Sequence, residues 1–407
     1  MAERVLIIGS GGREDALKWK LSQSPHVLQV ENIQFTTIEN ALNSARQHNS
    51  GLVIIGLEGP LALGIVDRFN AENIPVFGPT KEASRLEWDK AWAEEFMARH
   101  NIPHPQSSSF ENFDQAIKYI QDREAVNTVI KVNGLSVGKG VILPSSLDEA
   151  KLALLEISQG KYGNQPMIII QERLYGREVS LICLTDGTKI IPLLPAQDHK
   201  RLKDNDEGPN TGGMGAFTPA DLEPDQQKQI INSIVNPTIQ GLHKEGIEYT
   251  GALYFGLMLT NDGPKLLEYN SRFGDPETQP QMMLFSADLY LALKACVDRS
   301  LSPELVNFRQ GASVCVVLAA EGYPQQPILK REIKGLDTVK DPNVQVFHSA
   351  TEDKDGKIVT NGGRVLAVTA YGQSLEEARQ KAYSQIGENG IHFEGMQYRK
   401  DIGVSQL

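Results

Sequence analysis

Three cysteines in 407 residues, Cys183, Cys296 and Cys315, leave no CxxC or CxxH spacing for a metal or redox centre. Each sits in an apolar stretch, so all three are expected as buried core thiols. A basic surplus is missing as well: 40 Lys and Arg stand against 51 Asp and Glu, a formal net charge of -11. Phosphate backbones are bound chiefly through excess Lys and Arg, so the balance argues against a nucleic-acid partner, while an anionic small molecule in a local cationic pocket is still allowed. Long apolar runs are lacking too. Ala312–Ala320 is about half the length that spans a bilayer. The opening MAERVLIIGSGG places a strand and a turn where an export signal needs a basic segment and a longer apolar run. The expectation is a cytoplasmic protein without a membrane partner, a monomer or weak homodimer.

Hydrophobic residues at 40% and charged residues at 22% are ordinary for a globular enzyme, and the length calls for several domains. Residues 1–80 alternate strand (Arg4–Ile8, Gly51–Ile55) and helix (Glu14–Ser22), which predicts a small parallel α/β domain. Pro75, Gly78 and Pro79 precede one helical stretch, Ser84–His100. A central region, 81–305, contains a subdomain at about 104–175 with strands Thr128–Val132, Gly140–Leu143 and Met167–Gln171 and helix Leu147–Ser158. Gln197–Gly215 reads as a long polar loop, of a length more often functional than idle. Strands Ala252–Thr260 and Lys265–Tyr269 flank the hairpin turn Asn261-Asp262-Gly263. Residues 306–407 read as a small α+β domain, with a helix opened by a capping box from Ser374 to Glu377.

Several motifs carry chemistry. Gly9-Ser10-Gly11-Gly12 joins a strand to a helix, so backbone N–H groups can hold an anion, or simply turn the chain. Glu14 stands where a dinucleotide fingerprint needs glycine, which disfavours a nicotinamide cofactor. Gly134–Gly140 resembles a P-loop but has three residues between its glycines and lies between two strands. That suits a flap closing over a triphosphate, with Lys139 and Lys131 as cations, or a plain hairpin with a solvated lysine. Glu268 and Asn270 alternate along one strand and face one point, as hard oxygen ligands of Mg²⁺ would; Arg272 follows on that side. Asp198-His199-Lys200-Arg201 leads into a glycine loop, as either a solvated charge run or a ligand contact.

In order along the chain, these segments strongly resemble the glycinamide ribonucleotide synthetase family of ATP-grasp ligases. The matching runs include GGRE at 11–14, FGPTKEASRLEWDK at 77–90, GLSVGKGV at 134–141, QDHKRLKDNDEGPNTGGMGAFTPA at 197–220, LLEYNSRFGDPETQ at 266–279, GGRVLAVTA at 362–370 and YRKDIG at 398–403. The resemblance implies an α/β and α+β multidomain fold: an N-terminal parallel α/β domain, central ATP-grasp domains and a small C-terminal α+β domain. It implies ATP-dependent ligation of glycine to 5-phosphoribosylamine, with ATP and Mg²⁺ or Mn²⁺. By that resemblance Lys90, Lys131, Gly138 and Lys139 contact ATP phosphates, Glu172 and Leu174 line the adenine site and Glu178 meets the ribose. Glu268 and Asn270 hold the metal. Arg272, Asp275, Asp198, Lys200 and the loop Gly212, Gly213, Met214, Gly215 surround glycine, with Arg272, Asp275 and Lys139 catalytic. Gly11, Gly12, Arg13 and Glu14 face the phosphoribosyl group.

The chain departs from the family pattern at Asp15 (usually His), Asn133 (usually Asp) and Leu57 (usually Pro). A loop with Pro-Gly-Asn-x-Gly has no counterpart between Val30 and Asn40. Two other readings compete: an impaired paralogue that binds nucleotide without ligating, and an ATP-grasp carboxylase-type enzyme.

Overall fold

The computed structural model of the chain describes residues 2–135, 140–161 and 167–404. Near the N-terminus the strands Val27–Ile33, Glu3–Ile8, Ser50–Ile55 and Val76–Phe77 lie side by side, in that order, in a parallel sheet. The two central strands are covered on both faces, which is why Val5–Ile8 and Leu52–Ile55 are continuous apolar runs and buried, while the edge strand Val27–Ile33 carries polar residues. Val27–Ile33 runs unbroken through the point where the family loop is missing: Val30 pairs with Val5 and Glu31 with Leu6. The helix Ile38–His48 follows closely, capped by Thr37 Oγ1, which accepts from Asn40 N at 3.1 Å. The sheet thus closes over the shortened stretch.

Ser84–His100, expected as one helix, is two: Arg85–Trp88 and Lys90–Arg99. Asp89 interrupts them with φ -119° and ψ 81°, and its carboxylate accepts from Trp92 N at 3.2 Å. A short acidic side chain competes for nearby backbone N–H groups and so ends one helix and caps the next. Lys90 is thereby held at the very start of a helix.

The subdomain that follows is an antiparallel sheet of Ser107–Phe110, Ile168–Glu172, Thr128–Val132 and Val141–Ile142, with helices Phe113–Gln121 and Leu147–Ser158. The last strand is shorter than the expected Gly140–Leu143. Ile120, Ile130, Leu154, Ile157 and Ile170 belong to a core of its own, each such side chain contributing about 1.5–3 kcal/mol on burial.

A second antiparallel sheet orders Ile190–Pro192, Arg177–Asp186, Thr250–Thr260 and Gly263–Asn270. Its final hairpin carries a bulge. Gly256 pairs with Glu268 but Leu257 pairs with Leu266, which leaves Leu267 extra. One extra residue reverses the alternation of faces, so Leu266 and Tyr269 both enter the core while Glu268 and Asn270 turn together to the other side.

The C-terminal sheet is built from Gln197–Asp198, Gly215–Thr218, Ala312–Ala319, Arg364–Gly372 and Val344–His348, with the helix Leu375–Ser384 against it. Two of its strands therefore come from the middle of the chain. Gln197–Gly215, expected as a loop, instead holds a hairpin of Arg201–Lys203 and Glu207–Asn210 between those two strands. Ser374 caps the last helix as expected, but Glu377 reaches back to Gln373 N at 2.7 Å, one residue earlier than a capping box requires. The three cysteines are free and buried, as expected.

Candidate active site

A cavity of about 600 Å³ opens where the 107–172 sheet meets the 177–270 sheet. Its lining gathers Lys90, Lys131, Glu172 and Leu174 from one side and Glu178, Asp198, Lys200 and Gly212 from another, over Glu268, Asn270, Arg272 and Asp275. Residues up to 185 positions apart in sequence thus share one space. Lys131 Nζ donates to the bulged Leu267 O at 2.9 Å and stands 4.0 Å from Glu94 Oε1. Lys90 Nζ donates to Gly134 O, tying the helix start to the end of the strand Thr128–Val132. Asn133 strengthens that tie: its Oδ1 accepts from Ala91 N at 3.2 Å and its Nδ2 donates to Asp89 Oδ1 at 3.1 Å. Lys200 Nζ lies 2.8 Å from Glu178 Oε2.

Electrostatics follow from this crowding. Burial alone would raise the Glu268 carboxyl, but Lys200, Lys131, Lys90 and Arg272 together hold it below its ordinary value. Burial lowers Lys90 against the pull of Glu268. For Lys200, burial is outweighed by Glu178, Glu268, Tyr254 and Asp198, and its ammonium is held well above the usual range. The site is therefore a carboxylate kept ionised inside a ring of cations.

Arg272 is fixed from all sides. Its guanidinium lies 3.1 Å from Glu87 Oε1 and 3.4 Å from Glu58 Oε2, and donates to Asn270 Oδ1 at 3.2 Å and Phe273 O at 3.1 Å. Glu87 also accepts from Ser271 N at 2.7 Å. Beneath it Ser180, Tyr254 and Glu277 form a buried triangle with contacts of 2.8, 2.9 and 2.9 Å. None of Glu58, Glu87, Tyr254 or Glu277 was singled out from the sequence. Glu58, Glu87 and Tyr254 are single polar residues on helices or a strand and Glu277 sits in the turn before the helix Thr278–Leu284, none with a spacing signal of its own.

On the glycine-loop side, Arg364 donates to Gly212 O at 2.5 Å and to Asp275 O at 2.8 Å, and pairs with Asp275 Oδ2 at 3.1 Å. Gln279 Nε2 adds a bond to Asp275 Oδ1 at 2.8 Å. Against burial, Arg364 and Arg13 hold Asp275 below its ordinary value. Gly213 has φ 111°, and a Cβ there would sit 2.5 Å from Pro276 Cδ and 2.7 Å from Asp198 Oδ1, so only glycine fits. Asp198 Oδ1 itself is buried without a partner, and burial with Glu277 nearby pushes that carboxyl well up. Met214, expected at the substrate, is fully buried, and with Gly213 and Gly215 it lies outside the cavity lining; its N–H donates to His199 O at 2.8 Å. Those three residues form the bend that carries Gly212.

The expected phosphoribosyl residues stand beside the cavity rather than in its wall. Glu14 is fully buried and accepts from Gly11 N at 2.7 Å and from Arg13 Nε at 2.8 Å, so the helix N-terminus is capped by the chain's own carboxylate. Arg13 donates onward to Phe273 O at 3.0 Å, the same carbonyl that Arg272 meets. A Cβ at Gly12 would strike Ser349 Oγ at 2.5 Å and Gln279 Nε2 at 2.7 Å. Gly138 and Lys139 lie outside the described residues. Among the described residues no group of three or more His, Cys, Asp or Glu is placed to hold a metal. Glu268 and Asn270 fit a divalent cation that shares its coordination with phosphates and water, and an ionised carboxylate is the form that binds one.

Comparison with known proteins supplies the class first. Residues 88–278 match the ATP-grasp (A) domain of phosphoribosylglycinamide synthetase, flanked by its N domain at 3–87 and its C domain at 313–405. The chain belongs to the phosphoribosylglycinamide synthetase family. It is 42% identical to the phosphoribosylamine-glycine ligase of Vibrio parahaemolyticus, over 99% of this chain and 98% of that protein. It is 46% identical to the trifunctional purine biosynthetic protein adenosine-3 of Gallus gallus, over 100% of this chain and 42% of that protein. The latter alignment runs to 432 positions where this chain has 407 residues, so the relative carries residues with no counterpart here. The crystal structure of phosphoribosylamine-glycine ligase from Thermotoga maritima superposes with a TM-score of 0.85 at 35% identity, covering 98% of this chain and 100% of that one. No helix among the described residues is long and apolar enough to cross a membrane.

Proposed function

We propose that the chain is an ATP-dependent ligase that joins glycine to 5-phosphoribosylamine, giving glycinamide ribonucleotide, ADP and phosphate, a step of purine biosynthesis in the cytoplasm. The observation that carries this reading is the convergence of Lys90, Lys131, Lys200 and Arg272 on Glu268 and Asn270 in one cavity. Phosphoryl transfer needs positioning and charge stabilisation more than a protein nucleophile, and no Ser-His or Cys-His pair stands out in the sequence. Lys90 and Lys131, with Gly138 and Lys139 of the flap, bind the ATP phosphates; Glu172, Leu174 and Glu178 line the nucleoside. Glu268 and Asn270 would hold Mg²⁺ or Mn²⁺, which would supply neutralisation of the phosphate charge when bound. Arg272, fixed by Glu58 and Glu87, steadies the γ-phosphoryl group as the glycine carboxylate takes it. Asp275, Lys200 and the Gly212 bend hold glycine, and the amine of phosphoribosylamine then displaces phosphate from glycyl phosphate. Gly11, Gly12, Arg13 and Glu14 border the sugar-phosphate side.

The test is phosphate release from ATP and Mg²⁺ with glycine and freshly made phosphoribosylamine. Release that needs both substrates is the expected result, and release independent of either overturns the reading. The missing loop after Val30 favours, as a second reading, a paralogue that binds nucleotide without ligating. ATP binding by calorimetry with no turnover would mark it. Replacing glycine by bicarbonate in the same assay checks for carboxylase chemistry.

A further inference from the structure

Arg399 has the largest of the fully buried side chains, yet it lies in the C-terminal segment, far along the chain from the cavity. Its guanidinium is bound in a fork by Asp401, with Nε to Oδ1 at 2.7 Å and Nη2 to Oδ2 at 2.7 Å. Its Nη1 reaches across to Asp206 Oδ1 at 2.6 Å and Arg201 O at 3.3 Å. The same segment grips the hairpin turn by two backbone-to-carboxylate bonds: Asp401 Oδ2 accepts from Asn205 N at 2.8 Å, and Lys400 N donates to Asp204 Oδ1 at 2.7 Å.

The turn so gripped is strained. Asn205 and Asp206 are consecutive non-glycine residues with φ 57° and 53°. Left-handed backbone of this kind costs about 1–3 kcal/mol per residue and persists only where surrounding contacts over-determine it. Here the contacts are the charge-assisted bonds of Arg399 and Asp401, the strong class of hydrogen bond. The hairpin they hold leaves from Lys200 and returns to Gly212, both of which line the cavity. Thr211 closes the base, its N and Oγ1 both donating to Lys200 O, at 2.8 and 2.9 Å.

We propose that Arg399 is a positioning residue for the ligase reaction: by clamping the 201–210 hairpin to the C-terminal segment it sets where Lys200 and Gly212 stand in the cavity wall. The inference rests on the glycine-side role given above to those two residues. Lys90, Lys131 and the 107–172 sheet make no bond to the clamp, and the link from the clamped wall to the nucleoside side is the pair Lys200–Glu178 at 2.8 Å. Misplacement of a binding group by about 1 Å is enough for large losses, and because the clamp bears on Lys200 and Gly212 rather than on Lys90 and Lys131, the larger effect falls on glycine.

The experiment uses the full chain with Arg399→Ala, Arg399→Lys and Asp206→Asn. The Asp206 side chain is 51% exposed, so its amide variant leaves the core intact while removing the charged partner. The expected result is a KM for glycine raised about tenfold in Arg399→Ala and less in Asp206→Asn, partial recovery in Arg399→Lys, and a KM for ATP within about twofold of wild type. Hydrogen exchange at 200–212 quickens in all three variants while exchange in 128–132 and 168–172 is unchanged. Parallel changes in both KM values, or a lowered melting point with no change in the glycine KM, overturn the proposal. If wild-type protein releases no glycine-dependent phosphate, the ligase reading fails, and the exchange pattern alone decides the clamp.

Discussion

Glu268 owes its ionised state to its neighbours, because burial by itself would favour the acid and four cations reverse that. Glu268→Gln keeps the shape and removes the charge. It is expected to cut phosphate release by roughly 10²–10³-fold while ATP still binds, read by steady-state assay and calorimetry, on the scale seen when one preorganised electrostatic group is lost. His199 presents the opposite balance. Its ring is buried beside Phe217 with Nδ1 unpartnered; burial, with Arg399 adding, lowers it to about 4. A histidine lowered in the fold leaves the unfolded chain holding more protons between its ordinary value and about 4, so stability falls as pH drops through that window. The loss is of order 3 kcal/mol at most. His199→Gln should flatten the melting temperature between pH 6.5 and 4; an unchanged slope would refute this account of His199.

Among the elements, the broken helix at Asp89 matters most, because it places Lys90 at a helix start joined to the end of the strand Thr128–Val132 through Asn133. Asn133→Ala frees the Ala91 N–H and should cost about 1 kcal/mol, seen as roughly a fivefold higher KM for ATP with the glycine KM unmoved. Aspartate at 133 would set a second carboxylate against Asp89, which is a physical reason for the amide in this chain. The break also shows where reading the sequence stops. Apolar spacing from Ser84 to His100 continues across Asp89, and only the carboxylate's capping of Trp92 reveals two helices. Glu268 and Asn270 were legible from strand alternation, though the Leu267 bulge that sets their phase was not. In Gln197–Gly215 the glycines and charges signalled a loop and masked a short local hairpin, while the partner of the strand that begins at Gly215 lies beyond residue 312 and could not be inferred locally. Arg364 and Arg399 were hidden for the same reason: both act on segments more than 80 positions away.

Across the whole molecule, single polar contacts tie the outer domains together. Asp15 Oδ2 accepts from His348 N at 2.8 Å, joining the first helix to the C-terminal sheet. Burial raises the Asp15 carboxyl, against the pull of His348 and Lys18, so the folded state disfavours its charge at neutral pH. Asp15→Asn keeps the acceptor and removes that charge, and should leave urea stability equal or higher. Asp15→Ala leaves the His348 N–H without its partner and should lower stability by about 1–3 kcal/mol. Equal losses in the two variants would show that charge, not the hydrogen bond, matters here.

The C-terminal sheet borrows Gln197–Asp198 and Gly215–Thr218 from the middle of the chain. On a ribosome, Gly215–Thr218 can meet Gln197–Asp198 early but must wait for Ala312–Ala319 to emerge before it joins the larger sheet, while the 107–172 sheet is complete long before. ATP-side parts of the pocket can mature during synthesis, and the wall bearing Lys200 and Gly212 is fastened last, when Arg399 arrives. A nascent chain halted near residue 305 should resist protease across 107–172 and be cut within 197–218.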